Sequence, residues 1–252
     1  MTNRHAEYFR TGMDSRCAVL MIHGIVGTPK HFEAFLPLVP EDWTLYNLLL
    51  DGHGKGAKEF SQTSMKKWKA QVAARVEEIL KTHDTLVIAA HSMGCLFAVQ
   101  TAIRHPEQVK RLFLLAIPLR PFVKPATVLA SVKAALGFTG SKMVREMLCD
   151  SGVKLTKNLF AYLGWIPRFW ELLVEAGAAR KLLPRLQTPA VAFVSRKDEL
   201  VAFSTRKDLQ GHPWIETVVL PDSGHFAYGE KDLELLKAGF TETLNKAKNG
   251  SD

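Results

Sequence analysis

"TLVIAAHSMGC", residues 85–95, is the stretch whose reading decides the fold. It begins as a run of Leu, Val and Ile of the kind that fills a buried strand, then stops at a polar Ser92. Ala90 and Gly94, two residues to either side of that serine, are too small to add much packing. A sharp strand-to-helix turn accounts for the choice. Such a turn pushes the serine hydroxyl beyond the sheet edge, and the residues two before and two after must be small to avoid collision. The other role open to Ser92 is a helix N-cap, common for serine. A strand before it and a buried helix after it favour the strained turn.

Working outward, the segment from Ser92 to Arg104 is apolar on nearly every side, which predicts a helix in the middle of the molecule, ended by Pro106. Similar apolar runs recur at Cys17 to Ile22, Trp43 to Leu49, Thr85 to Ala90, Arg111 to Ala116, Ala190 to Val194 and Ile215 to Leu220. Longer stretches of helical period separate them. Between the second and third, Met65, Trp68, Val72, Val76, Ile79 and Leu80 recur at steps of three or four, with Glu77 and Lys81 spaced for an ion pair. This alternation predicts an α/β fold, a mostly parallel sheet with helices on both faces. Leu233, Leu236, Phe240 and Leu244 form a last helical stripe, after which "NKAKNGSD" has nothing to bury and is expected to fray.

From about residue 119 to 185 the alternation breaks. No convincing strand occurs there, helical spacings such as Val128, Val132 and Leu136 take over, and "NLFAYLGWIPRFWELL" concentrates aromatics. We read residues 1–118 and 186–252 as the core, and 119–185 as a helical insertion between two strands. It is either a small second core or a lid whose apolar underside faces a pocket; the lid is the favoured reading.

The bulk numbers set limits. The 252 residues fit one α/β domain, and 47% apolar with 23% charged residues describes an ordinary globule. The polar N-terminus does not resemble a signal peptide and no apolar run is long enough to span a membrane, so a cytoplasmic protein is expected. The net charge of +8 comes without a dense Lys/Arg tract or a nucleic-acid-binding signature, which reads as a solvated surface. Cys17, Cys95 and Cys149 are too few and too widely spaced for a disulfide framework or a zinc site and read as reduced packing residues.

Three places carry chemistry. In "MIHGIVG", residues 21–27, a strand ends in His23 and Gly24. The amide of Ile25 there, with that of Met93 after the serine, suits the stabilisation of a developing oxyanion. His23 reads as a brace for the turn. Asp198 in "SRKDELV" and His225 in "VVLPDSGHF" each follow a later strand. In an open parallel sheet the loops at the carboxyl ends gather on one edge, so Ser92, Asp198 and His225 can meet although distant in sequence. A neutral serine is a poor nucleophile. It needs an imidazole to take its proton and a carboxylate to fix that imidazole's tautomer. Asp222, the competing acid, lies three residues from His225 in the same loop and is better placed to shape the turn "PDSG".

The remaining histidines read as structural. His91 is expected to point away from Ser92, and His53 in "DGHGKG" to brace a loop. His5, His31, His83, His105 and His212 show no clustering with acids or cysteines, so no metal site is expected. "DGHGKG" fails the Walker pattern and no G-x-G-x-x-G follows the first strand, so no nucleotide cofactor is expected.

Taken together, "HGIVG", the D-G-H-G loop, "AHSMG", the acid in "SRKDELV" and the final "DSGH" resemble the α/β-hydrolase superfamily, especially small bacterial carboxylesterases and the monoacylglycerol-lipase-like group. The order Ser, Asp, His is the one that family uses. Ala90 departs from its usual G-x-S-x-G. The resemblance implies an eight-stranded, mostly parallel sheet, of which six strands are evident here with at most a short extra one around Tyr8 and Phe9. It places 119–185 where that family carries its cap. It implies a serine hydrolase that cleaves carboxylic esters of small to medium acyl chains, monoacylglycerol among them, with water and no cofactor, and the aromatics of the insertion, Phe160, Tyr162, Trp165, Phe169 and Trp170 among them, point to an apolar substrate. The same triad on another bond (carbon–carbon, amide, or acyl transfer to an alcohol) is the alternative, and a non-catalytic receptor on a hydrolase scaffold is a second class. The oligomeric state is not legible.

Overall fold

The computed structural model describes residues 5–13, 16–138 and 151–250. Cys149 and part of the 119–185 interval lie outside these. Seven strands form one sheet among the described residues: β1 (Tyr8–Arg10), β2 (Cys17–Ile22), β3 (Thr44–Leu48), β4 (Thr85–His91), β5 (Val109–Leu115), β6 (Ala190–Ser195) and β7 (Ile215–Leu220). Their order is β1-β3-β2-β4-β5-β6-β7. All pairings are parallel except β1 with β3. The short segment around Tyr8 is therefore the seventh strand.

Alternation within β4 shows why the sheet is covered twice. Leu86, Ile88 and Ala90 belong to one apolar cluster, whereas Val87 and Ala89 belong to the other. The first cluster is closed by α1 (Ala57–Ser61), α2 (Met65–Leu80) and α3 (Met93–Arg104). Ser64 caps α2 by accepting from the Lys67 amide at 3.2 Å, and the face carrying Met65, Trp68, Val72, Val76 and Ile79 is buried. Helix α3 is buried through Ala102, as its apolar perimeter requires. The expected Glu77 to Lys81 pair is not among the ion pairs formed; Arg75 instead reaches Glu78 at 2.7 Å and Glu7 at 3.2 Å.

Between β5 and β6 the described residues form helices α4 (Pro125–Ala135) and α5 (Trp165–Leu182), with a short 3-10 turn at Leu159–Tyr162. After α6 (Arg206–Leu209) and β7, helix α7 (Glu230–Asn249) buries Leu236, Phe240 and Leu244 in the second cluster. The tail does not fray where expected. Ala247 packs into that cluster, and the helix runs to Asn249 before Gly250 ends it in the left-handed region at φ 63°. Among the described residues no helix is long and apolar enough to cross a membrane.

The topology positions the site. From β2 the chain steps outward to β3, then crosses back to β4 on the other side of β2. The loops after β2 and β4 thus flank the point where strand order reverses, where open α/β sheets place their ligand crevice.

Candidate active site

Ser92 stands at φ 51° and ψ −123°, a positive-φ conformation that a serine adopts only when its surroundings enforce it. Its amide donates to the Leu115 carbonyl at 2.8 Å, tying the turn to the end of β5. The small neighbours have a visible reason. Ala90 lies in register between Ile22 and Leu114 with no exposed surface. A methyl on Gly94 would lie 2.8 Å from the Ile22 carbonyl carbon and 3.0 Å from the His23 carbonyl oxygen. Inside the turn, Cys95 Sγ donates to the carbonyls of Ala90 at 3.2 Å and Leu115 at 3.3 Å, and burial pushes its thiol pKa up.

The loop after β2 abuts the serine. A Cβ on Gly24 would lie 2.7 Å from Ser92 Cβ and 3.2 Å from Oγ, so only glycine lets the two turns approach. Gly27 N–H donates to the Gly24 carbonyl at 3.0 Å, and Val26 sits at φ 55°. His23 braces this loop: Nδ1 donates to the Gly24 carbonyl at 2.9 Å, and Nε2 accepts from the Leu50 amide at 3.1 Å. Burial, then the proximity of His53, holds its pKa well below the usual histidine range, so the ring is neutral. The Ile25 amide donates to no carbonyl among the described residues. The Met93 amide opens α3, where geometry leaves the first N–H groups without intrahelical partners.

His225 and Asp198 meet closely. His225 Nδ1 lies 2.9 Å from Asp198 Oδ2 and 3.1 Å from Oδ1, with both side chains buried. Asp198 Oδ1 also accepts from the amides of Leu200 and Val201, each at 2.8 Å. Burial works against the charged carboxylate, but the neighbouring His225 and these hydrogen bonds outweigh it and bring the pKa below the usual aspartate value. The donating Nδ1 leaves Nε2 as the ring's acceptor.

His91, the residue before Ser92, ties His225 to the serine turn. Its Nε2 donates to the His225 carbonyl at 2.9 Å, and the two rings stand 4.8 Å apart. Burial first, then His225 and His31, lowers the His91 pKa well below its ordinary value. No hydrogen bond joins Ser92 Oγ to the His225 ring in this structure; the two turns are linked through the His91 side chain instead. Catalytic hydrogen bonds are often long before substrate arrives.

Asp222 is elsewhere. Its carboxylate accepts from Lys197 Nζ at 2.9 Å on the exposed surface, and the turn is held by Asp232, which accepts from the Asp222 amide at 2.9 Å and the Ser223 hydroxyl at 2.6 Å. His53 Nδ1 donates to the Leu50 and Asp51 carbonyls, each at 3.2 Å, and burial lowers its pKa to about 4. Among the described residues no group of three His, Cys, Asp or Glu side chains is arranged to hold a metal ion.

The model of the alpha/beta hydrolase family matches residues 19–238, most of the chain. The chain belongs to the α/β-hydrolase family. Among solved structures, one from work on LipS and LipT, two metagenome-derived lipolytic enzymes, is 20% identical with TM-score 0.72, covering 96% of this chain and 99% of that one. The Paleococcus ferrophilus monoacylglycerol lipase is 16% identical with TM-score 0.67, covering 95% and 98%. A soluble variant of the Saccharomyces cerevisiae monoglyceride lipase is 15% identical with TM-score 0.69, covering 96% and 91%. At these identities the likeness is one of fold. A plant relative named "Probable lysophospholipase BODYGUARD 4", from Arabidopsis thaliana, is 32% identical over 116 residues, 44% of this chain and only 27% of its own length.

Two residues of this α/β-hydrolase site escaped the sequence reading. Glu199 accepts from the His225 amide at 2.7 Å, so one loop holds both the ring and the backbone of the histidine. In the sequence it is only a charged neighbour of Asp198. His31 packs its ring 5.3 Å from His91 and 5.0 Å from Phe226, a contact no local pattern announces.

Proposed function

We propose that this α/β-hydrolase is a serine esterase acting on carboxylic esters of small to medium acyl chains, with Ser92, His225 and Asp198 as its triad. One observation carries the reading. A buried, doubly contacted Asp198–His225 pair is roped through His91 to a serine held in a strained turn. Nothing in the packing of a plain helix cap calls for that arrangement. The lipase, lipolytic-enzyme and lysophospholipase names of the similar proteins support the ester class.

In this reading Ser92 Oγ attacks the ester carbonyl while His225 Nε2 takes its proton, and Asp198 stabilises the imidazolium through Nδ1–H. The oxygen that becomes negative accepts from the amides of Ile25 and Met93, each donor contributing ~3 kcal/mol to the transition state. His225 returns the proton to the departing alcohol. Water then enters, loses a proton to Nε2 and releases the acid, restoring the serine hydroxyl. Helices α4 and α5, in the insertion between β5 and β6, act as parts of a cap that supplies the apolar wall for the acyl chain.

Turnover of p-nitrophenyl esters of increasing chain length tests this. The expected result is hydrolysis by the wild type that falls at least ~10³-fold in Ser92→Ala. Absence of turnover on every ester overturns the esterase reading and leaves the fold untouched.

A further inference from the structure

Helix α5 is amphipathic in the unexpected sense. The side it packs on α1, α2 and α3 carries Trp165, Leu172, Ala176 and Ala179, but also both acids of the helix. Glu175 is buried and accepts from Lys69 Nζ at 2.8 Å and from Gln100, and Glu171 accepts from the Met65 amide and from Arg168, each at 2.8 Å. The opposite side turns Ile166, Trp170, Leu173 and Val174 to solvent at steps of three and four, Ile166 and Trp170 being 66% and 67% exposed. Phe160 and Leu163, just before the helix, are 81% and 61% exposed. Apolar surface left in water forgoes ~25 cal/mol per Å². A contiguous stripe of this kind marks an interaction site rather than a scattered surface residue.

The surrounding charge identifies the occupant. Between Lys157 and Arg185 the exposed charged residues are Lys157, Arg180, Lys181 and Arg185, all positive. Arg180 and Lys181 lie seven residues beyond Leu173 and Val174, two turns further along the same stripe. An exposed apolar face with a tryptophan, edged by Lys and Arg, with the one partly exposed acid of the helix, Glu171, paired to Arg168 at 2.8 Å, fits a helix lying in the plane of an anionic bilayer. A second copy presenting the same face would bring positive against positive, on a chain whose net charge is +8.

We propose that the outer stripe of α5, formed by Ile166, Trp170, Leu173 and Val174 with Arg180 and Lys181 at its end, docks this protein on anionic lipid surfaces. This holds independently of the reaction at Ser92. The experiment is co-sedimentation of the full chain with vesicles of phosphatidylcholine alone or mixed with phosphatidylglycerol. Wild type should partition onto the mixed vesicles and bind pure phosphatidylcholine more weakly. Trp170→Ser with Leu173→Ser should abolish partitioning onto both. Arg180→Gln with Lys181→Gln should weaken binding to mixed vesicles about thirtyfold, about fivefold per charge, without affecting pure phosphatidylcholine. Lys207→Gln with Lys231→Gln, removing the same charge from other exposed sites, should change binding less than about twofold. All these side chains are exposed, and circular dichroism checks folding; should the paired apolar variant not fold, Val174→Ser replaces it. Failure of wild type to bind mixed vesicles, equal binding by the apolar variant, or equal loss in the Lys207/Lys231 control would overturn the proposal. So would a dimer in sedimentation velocity that the Trp170 and Leu173 substitutions dissociate.

Discussion

Replacing Asp198 by asparagine isolates what its carboxylate does, because the change removes charge while conserving shape. Oδ1 is held by two amides, Leu200 and Val201, at 2.8 Å each, so the asparagine carbonyl will take that position. Its NH₂ group then falls where Oδ2 now lies, 2.9 Å from His225 Nδ1. Two donors cannot face each other there. The ring must shift its proton to Nε2, which then has no lone pair with which to accept the serine proton. The expected loss is about 10⁴ in kcat, roughly 5.5 kcal/mol of transition-state stabilisation, with KM changed little. Ester hydrolysis by Asp198→Asn beside Asp222→Asn is the assay. Asp222 belongs to an exposed pair with Lys197 that solvent screens, and its variant should retain activity within a few-fold. Near-wild-type turnover by Asp198→Asn, or a collapse in Asp222→Asn alone, refutes the reasoning.

Gly94→Ala should destabilise the fold by about 3 kcal/mol or more, since its methyl meets the backbone of Ile22 and His23 rather than a movable side chain; urea unfolding measures it, and a loss under about 1 kcal/mol contradicts the tight turn. Glu199→Ala should lower kcat roughly tenfold by freeing the His225 backbone, and Glu199→Gln, which keeps an acceptor, should recover most of that; equal losses in both would mean the hydrogen bond is not what matters. His53, with its pKa lowered by burial to about 4, binds its proton more readily unfolded than folded. Its contribution to stability is therefore complete above the ordinary histidine pKa of about 6.5 and declines as pH falls from there toward about 4, by about 3 kcal/mol in all. Urea midpoints of wild type and His53→Gln between pH 7 and 4.5 should converge as acid is added, and parallel curves would contradict this.

What the sequence made legible follows from where the information lies. Each strand announces itself in a few consecutive residues, so the sheet and the turn at Ser92 were readable, down to the short strand at Tyr8. The resemblance carried the family. The misses all involve contacts between segments remote in the chain. Ala247 looks surplus in "NKAKNGSD" until the second apolar cluster is assembled beneath it. Glu77 and Lys81 have helical spacing, but the neighbouring Arg75 finds Glu7, 68 residues earlier, and draws the charge pattern that way. Glu199 and His31 acquire meaning only once His225 and His91 stand beside them. The aromatics of α5 were conspicuous, but composition does not say which of them face inward: Trp165 is buried, Trp170 is not.

Covalent labelling of the intact chain by a fluorophosphonate probe tests the central claim most directly, because the probe reacts with an activated serine whatever the natural ester is. The account predicts a single adduct on Ser92 in wild type, none in Ser92→Ala, and slowed labelling in Asp198→Asn. Equal labelling of wild type and Ser92→Ala, or none in either, would contradict it.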